Sequence, residues 1–218
     1  MGTDHKIRIK DVAHDLMMQY GIRSISMDDI AAKLGMSKKT IYIYYDDKDE
    51  LVDAVVIGII ENNQRVCNAD SEKANDAVHE MFLAKDMLTE IFKSMNPSVL
   101  FDLQKFHPET FSIFLKHKNE FILSMMRQNI LRGISEDLYR PDIDVDILAR
   151  FRVESLFMPF NPEFVRSTKS TLVIIEQEIL MHFLFGLVTL KGYKLILKYL
   201  DQRGKLHSNG DRNINYNK

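Results

Sequence analysis

Cysteine is nearly absent from this chain. Cys67 is the single cysteine among 218 residues, so no disulfide closes within the chain, and the zinc sites built on two to four thiolates are excluded. That usage fits a reducing, cytoplasmic setting. Long apolar runs are missing as well. The most apolar stretch, Ile179 to Leu190, covers 12 residues and contains His182, well short of the ~20 that a membrane-spanning helix needs. No membrane partner is expected. Residues Met1 to Lys10 are polar and lack the apolar segment of a secretory signal, so export is not expected either. Charge of one sign is also scarce: 29 basic against 31 acidic residues leave a net charge of −2, with a pI near 6.4. Global charge therefore advertises no nucleic-acid partner, and the local pattern has to decide. A Gly-rich phosphate loop, a Gly-x-Ser-x-Gly elbow and a Cys/His nucleophile arrangement are all lacking. No reaction and no cofactor are expected.

Proline and phenylalanine are present but unevenly placed. All five prolines lie at or beyond Pro97 and all thirteen phenylalanines at or beyond Phe82, which separates the first fifty residues from the rest. No strand-like alternation runs for more than a few residues, so the fold class expected is all-α. Ile9, Val12, Ala13, Leu16, Met17 and Tyr20 form one helical stripe ended by Gly21. Ser26 and Asp29 read as a capping box before Met27, Ile30, Ala31 and Leu34, and Gly35 stops that short helix. Ser37 caps the next helix, with Met36 and Ile41 at hydrophobic-staple positions. Asp47 and Glu50 form another capping box, opening a fourth helix through Leu51, Val55 and Ile59 towards Cys67.

Further helices are expected over 72–95, 97–106, 108–133, 144–158, 170–189 and 190–201. The domain reading is a helix-turn-helix unit at 1–50, a larger helical domain for ligand binding and dimerisation at 51–203, and a polar, mobile tail at 204–218.

Function is carried by the second and third helices, whose spacing is that of a helix-turn-helix that sets its second helix in the DNA major groove. With Ile41 and Tyr45 assigned inward by their i, i+4 spacing, the outward residues are Lys38, Lys39, Thr40, Tyr42, Ile43 and Tyr44. Two lysines, a hydroxyl and tyrosines suit phosphate and base-edge contact, and Ile43 suits a thymine methyl. Lys48, opening the fourth helix, is placed to grip a backbone phosphate.

The run from Ile9 to Leu51, and above all Gly35-Met-Ser-Lys-Lys-Thr-Ile-Tyr-Ile-Tyr-Tyr-Asp-Asp-Lys-Asp-Glu-Leu51, closely resembles the DNA-binding domain of the tetracycline-repressor (TetR) family. The resemblance covers about the first 55 residues. It implies a homodimer on double-stranded DNA, a variable helical ligand-binding domain and a closing four-helix dimer bundle. It further implies that Ser26 and the start of its helix hold a phosphate, that Lys38, Lys39, Thr40 and Ile43 meet bases or sugars, and that Tyr42, Tyr44 and Lys48 clamp the backbone. Two positions depart from the family pattern. Lys39 replaces a glycine or another small residue, and Asp28 lies near the phosphate face, from which it is expected to turn away.

Beyond the resemblance, the signals are collective. Phenylalanines and methionines are frequent in the central module, and Phe92, Phe111, Met125 and Phe157 are the candidate lining of a pocket for an apolar or amphipathic small-molecule effector. The apolar stripe of the last two helices makes Ile179, Phe183, Leu187, Leu195 and Tyr199 the candidate dimer interface. Glu178 and His182 stand at i, i+4 without a third ligand at metal spacing, so no metal is expected. The reading is a ligand-released, homodimeric repressor on a palindromic operator. The alternative is a ligand-independent helical DNA-binding protein that acts through protein partners.

Overall fold

The computed structural model describes the backbone of residues 2–211 and the side chains of residues 4–204. It is helical throughout. A small head is made by α1 (Gly2–Tyr20), α2 (Met27–Leu34), α3 (Lys38–Ile41) and the start of α4 (Lys48–Lys73). The body adds α5 (Ala77–Ser94), α6 (Val99–Phe106), α7 (Pro108–His117), α8 (Leu123–Ser135), α9 (Val145–Ser155), α10 (Pro162–Thr168), α11 (Leu172–Leu187) and α12 (Leu190–Asp211). Among the described residues there is no strand, only an isolated bridge between Tyr139 and Val188. No single described helix is long and apolar enough to cross a membrane.

Several elements differ from the sequence expectation. α3 closes after four residues and continues as a turn, in which the Tyr44 and Tyr45 amides both donate to the Ile41 carbonyl. The segment expected as one helix at 108–133 contains a π turn at Lys118–Ile122 between α7 and α8. α10 falls between the helices expected at 144–158 and 170–189. Its seven residues are too few for an apolar stripe, and Asn161 starts it by accepting from the Glu163 and Phe164 amides ahead of Pro162. α12 runs on to Asp211, into the segment expected as a tail; residues 212–218 lie outside the described part.

Three apolar clusters organise these helices. The head cluster centres on Ile9, Ala13, Met17, Ile30, Ile41 and Leu51, yet it does not end at residue 50. Val52, Val55 and Val56 of α4 belong to it, as do Val99 and Leu103 of α6. A second cluster joins α5, α8, α9, α11 and α12 around Phe82, Ile130, Leu180 and Leu184. A third, smaller one packs Phe92 against Phe160 and Leu172. Tyr139 is buried within the second cluster and sits over Gly133, where a Cβ would lie 2.0 Å from its ring. Only glycine permits that approach. The Tyr139 hydroxyl donates to Ala77 O at 3.2 Å, and Asn129 Nδ2 donates to the same carbonyl at 2.9 Å, which fixes the start of α5.

Candidate functional site

Caps and one turn set the geometry of the head. Ser26 Oγ accepts from the Asp29 amide at 3.2 Å, and the Asp29 carboxylate accepts from the Ser26 amide at 2.8 Å, closing the capping box of α2. The bonds from Ser26 hold the Asp29 carboxyl below its ordinary range. Gly35 takes φ +66°, the left-handed turn that glycine adopts without a Cβ clash, and the chain restarts at once. Ser37 Oγ accepts from the Thr40 amide at 3.1 Å and lies 2.8 Å from the Thr40 hydroxyl, so Thr40 is held by the cap of its own helix. At the next cap, Asp47 accepts from the Glu50 amide at 2.8 Å as expected. The return bond differs: Glu50 accepts from Asp46 and not from Asp47.

The outer face of α3 and its following turn carries the expected set. Ile41 and Tyr45 are buried, and the Tyr45 hydroxyl donates to Lys6 O at 3.1 Å. Lys39 is exposed, Tyr42 is 42% exposed and Ile43 is 72% exposed. Ile43 thus presents an apolar side chain to solvent beside the exposed Tyr42, while Tyr45 two residues on is buried. Tyr44 is half-buried against the head cluster, its ring 6.0 Å from that of His5. Asp28 does not turn away from this face. It pairs with Lys38 at 2.9 Å, and that hydrogen bond raises the Lys38 ammonium above its ordinary value. Lys48 is half-buried and donates to Ile22 O at 2.7 Å, tying α4 to the α1–α2 connection; burial lowers its ammonium below the usual lysine value.

The same connection is gripped from the body. Arg23 N donates to the buried Asp102 of α6 at 3.1 Å, and Asn96 N donates to Met18 O at 2.7 Å. α7 then follows α4 outward. His107 Nδ1 lies 2.7 Å from Asp49, Thr110 donates to Asp53, and His117 Nε2 lies 3.0 Å from Asn63 Oδ1. Burial holds the His117 imidazole below its ordinary value, favouring the neutral ring.

Past this seam opens a cleft of about 1780 Å³ walled chiefly by apolar side chains from α4, α5, α8 and α9. Phe92, Met125 and Phe157 line it, as expected from the sequence. Phe111 does not: it packs on the head cluster and stacks on Phe114 at 6.0 Å. Phe114 takes the lining position instead and meets Phe157 edge-on at 5.5 Å. Cys67 is on the wall too, its thiol pushed up to about 11 by burial, which keeps it protonated.

The sequence reading missed two polar features of this wall, His117 and Arg152. Arg152 is buried and paired with buried Glu176 of α11. A signal for that pair does exist in the sequence. Arg152 falls in the stripe Leu148, Ala149, Val153, Leu156, and Glu176 falls between Leu172 and Leu180 at spacing of four. Both therefore sit on inward helix faces.

The expected dimer-interface residues are redistributed. Phe183, Leu187 and Tyr199 are buried within the chain's own second cluster, while Ile179 and Leu195 are half-buried. α11 is apolar nearly all round, so its periodicity does not say which stripe faces inward; α5 and α9 take the stripe with Phe183 and Leu187. The apolar residues left exposed on α11 and α12 include Ile174, Phe185, Tyr193 and Leu197, with Phe185 and Tyr193 rings 5.6 Å apart. Ile147 and Phe151 of α9 are exposed as well.

Residues 9–55 match the family model described as bacterial regulatory proteins, tetR family. The chain is 33% identical over 134 residues to YvaF, an uncharacterized HTH-type transcriptional regulator of Bacillus subtilis, spanning 57% of this chain and 69% of that protein. It is 23% identical over 144 residues to the HTH-type transcriptional repressor KstR2 of Mycobacterium tuberculosis, spanning 65% of this chain and 72% of the repressor. Among solved structures, a transcriptional regulator from Saccharomonospora viridis in complex with choline superposes with a TM-score of 0.69 at 17% identity, covering 86% of this chain and 99% of that one. The head with its helix-turn-helix, the all-helical body and these relatives agree: the chain belongs to the tetR family of bacterial regulatory proteins and is a DNA-binding transcriptional regulator, not an enzyme.

Proposed function

We propose that this regulator is a homodimeric repressor that binds a palindromic operator and releases it when a small, largely apolar molecule occupies the cleft. The observation that carries the reading is α4. This one helix begins at Lys48, beside the exposed face of α3, and forms a wall of the cleft from Val55 to Asp70. A ligand that fits better with α4 displaced moves the head, and DNA fits only one separation of two paired heads, roughly 34–36 Å. KstR2 is a repressor and the Saccharomonospora viridis regulator binds choline, which supports repression and ligand control in relatives of this fold.

In this reading Lys39, Thr40 and Ile43 meet bases or sugars, and Ser26, Tyr42, Tyr44 and Lys48 hold phosphates. Lys38 exchanges Asp28 for DNA. The exposed apolar residues of α11 and α12 meet a second copy across a two-fold axis. Selecting bound fragments from the organism's genomic DNA and footprinting them tests the reading. Symmetric protection of two half-sites one helical turn apart is expected, and protection of a single half-site contradicts the dimer. Ligand control adds a limit: linkage allows a change in operator affinity of typically about 5–150-fold.

A further inference from the structure

Several polar and charged residues line the cleft, among them Asn63, His79, Glu80, His117 and Gln177, but Arg152 enters the wall among Val153, Leu156, Phe157 and Phe160. Arg152 is 4% exposed, and among the described residues its side-chain partner is Glu176, which meets one of its terminal nitrogens and lies off the cavity wall. The guanidinium carries five N–H donors in a fixed plane. Here Nε and Nη1 are buried without an acceptor. Donors of a buried cation left in that condition are unfavourable, and an oxygen acceptor satisfies them. Glu176 Oε2 is also buried without a partner, so the pair by itself does not satisfy these groups, and the cleft side is where an acceptor from outside the chain can approach the guanidinium.

The charge of that acceptor follows from the pair. The positive charge of Arg152 is balanced by Glu176, so a carboxylate or phosphate would leave net negative charge in apolar surroundings, which is costly. An uncharged oxygen adds none. We propose that the cleft's ligand is an uncharged, largely apolar molecule bearing a carbonyl oxygen, and that this oxygen accepts from the Arg152 guanidinium. The proposal rests on the cleft being the effector chamber and adds the chemistry of what enters it. Its volume of about 1780 Å³ exceeds the ~300–1,000 Å³ of ordinary small-molecule pockets, so the carbonyl is one anchor within a large apolar body or one that leaves room for more than one molecule.

Three probes of one skeleton test this on the full-length protein without DNA: pentylbenzene, its ketone valerophenone, and the anion para-pentylbenzoate, each titrated by calorimetry. Valerophenone is expected to bind about tenfold or more tightly than either of the others, the gain of a hydrogen bond to a charged donor. Removing Arg152 alone strands Glu176 and can unfold the body. The variant to use is therefore Arg152→Met with Glu176→Leu, an apolar replacement of the whole pair that buried sites tolerate. In that double variant the ketone preference should disappear while pentylbenzene binding persists. Equal binding of the three probes, a preference for the carboxylate, or a ketone preference that survives in the double variant overturns the inference yet leaves the cleft as a binding chamber. Absence of binding by all three overturns both. Operator release is measured separately: ketone-selective binding without release removes the effector reading and leaves the Arg152 site standing.

Discussion

The head packs Ile9, Ala13, Met17, Ile30, Ile41 and Leu51 at no more than a few per cent exposure between α1, α2, α3 and the start of α4. The body, by contrast, encloses a cleft, a buried ion pair and a π turn inside a long helical rod. The difference matches two tasks. A surface that reads DNA gains from being held in one shape, because misplaced side chains lose their contacts. In the proposed function the cleft reports a ligand, which needs two arrangements of similar free energy, and unfilled space beside under-satisfied polar groups suits that task. The two regions meet along α4 and at the α6–α7 corner, where Asp102 holds Arg23 and Thr110 holds Asp53.

The contrast breaks first in the body's core. Phe183→Asp is expected to cost about 4 kcal/mol or more, because it buries a charge without a partner, and circular dichroism should show the body lost. A folded but monomeric Phe183→Asp protein would instead place that residue at an interface. Tyr193→Asp with Leu197→Asp should do what Phe183→Asp does not, giving folded monomers in sedimentation experiments.

On the head, Lys39→Ala and Ile43→Ala should shift base preference in a binding-site selection by about 1–3 kcal/mol at one or two positions, with stability unchanged. Preferences identical to those of the parent would remove both residues from base readout. Ser37→Ala should cost about 1 kcal/mol of head stability through the lost α3 cap, measured by urea denaturation.

The smallest effect concerns pH. Burial lowers the His117 imidazole from 6.5, so the unfolded chain binds its proton more readily than the folded one. The stability this residue contributes is complete above about pH 6.5 and is lost as pH falls through the lowered folded value. His117→Gln should flatten that part of the stability profile, and an unchanged slope would show that another group sets it.

Legibility in the sequence follows the same division. Ser26, Gly35, Ser37 and Asp47 announce the head's turns within four residues of the bonds they make, so caps and the outward Lys39, Tyr42 and Ile43 could be read directly. Lys48 bonding Ile22 O and Asp28 bonding Lys38 join residues 26 and 10 positions apart, and no local pattern encodes them. In the body the helices were visible, but their orientations were not. α11 offers apolar residues on every side, and only its packing against α5 and α9 shows that Phe183 faces inward while Phe185 faces out. Phe111 and Phe114 lie three residues apart on α7, and which of them reaches the cleft depends on where α7 rests on the head. The buried Arg152 was legible by period alone, as a charge on an inward stripe.

The central claim is that α4 couples the reading face to the chamber. Amide hydrogen exchange along α4, with and without an operator duplex, tests it most directly. If one rigid element joins the sites, DNA bound at the head should change exchange beyond the head, across residues 55–67 and in α7 where His117 meets Asn63. Changes that stop at Leu51 would contradict it.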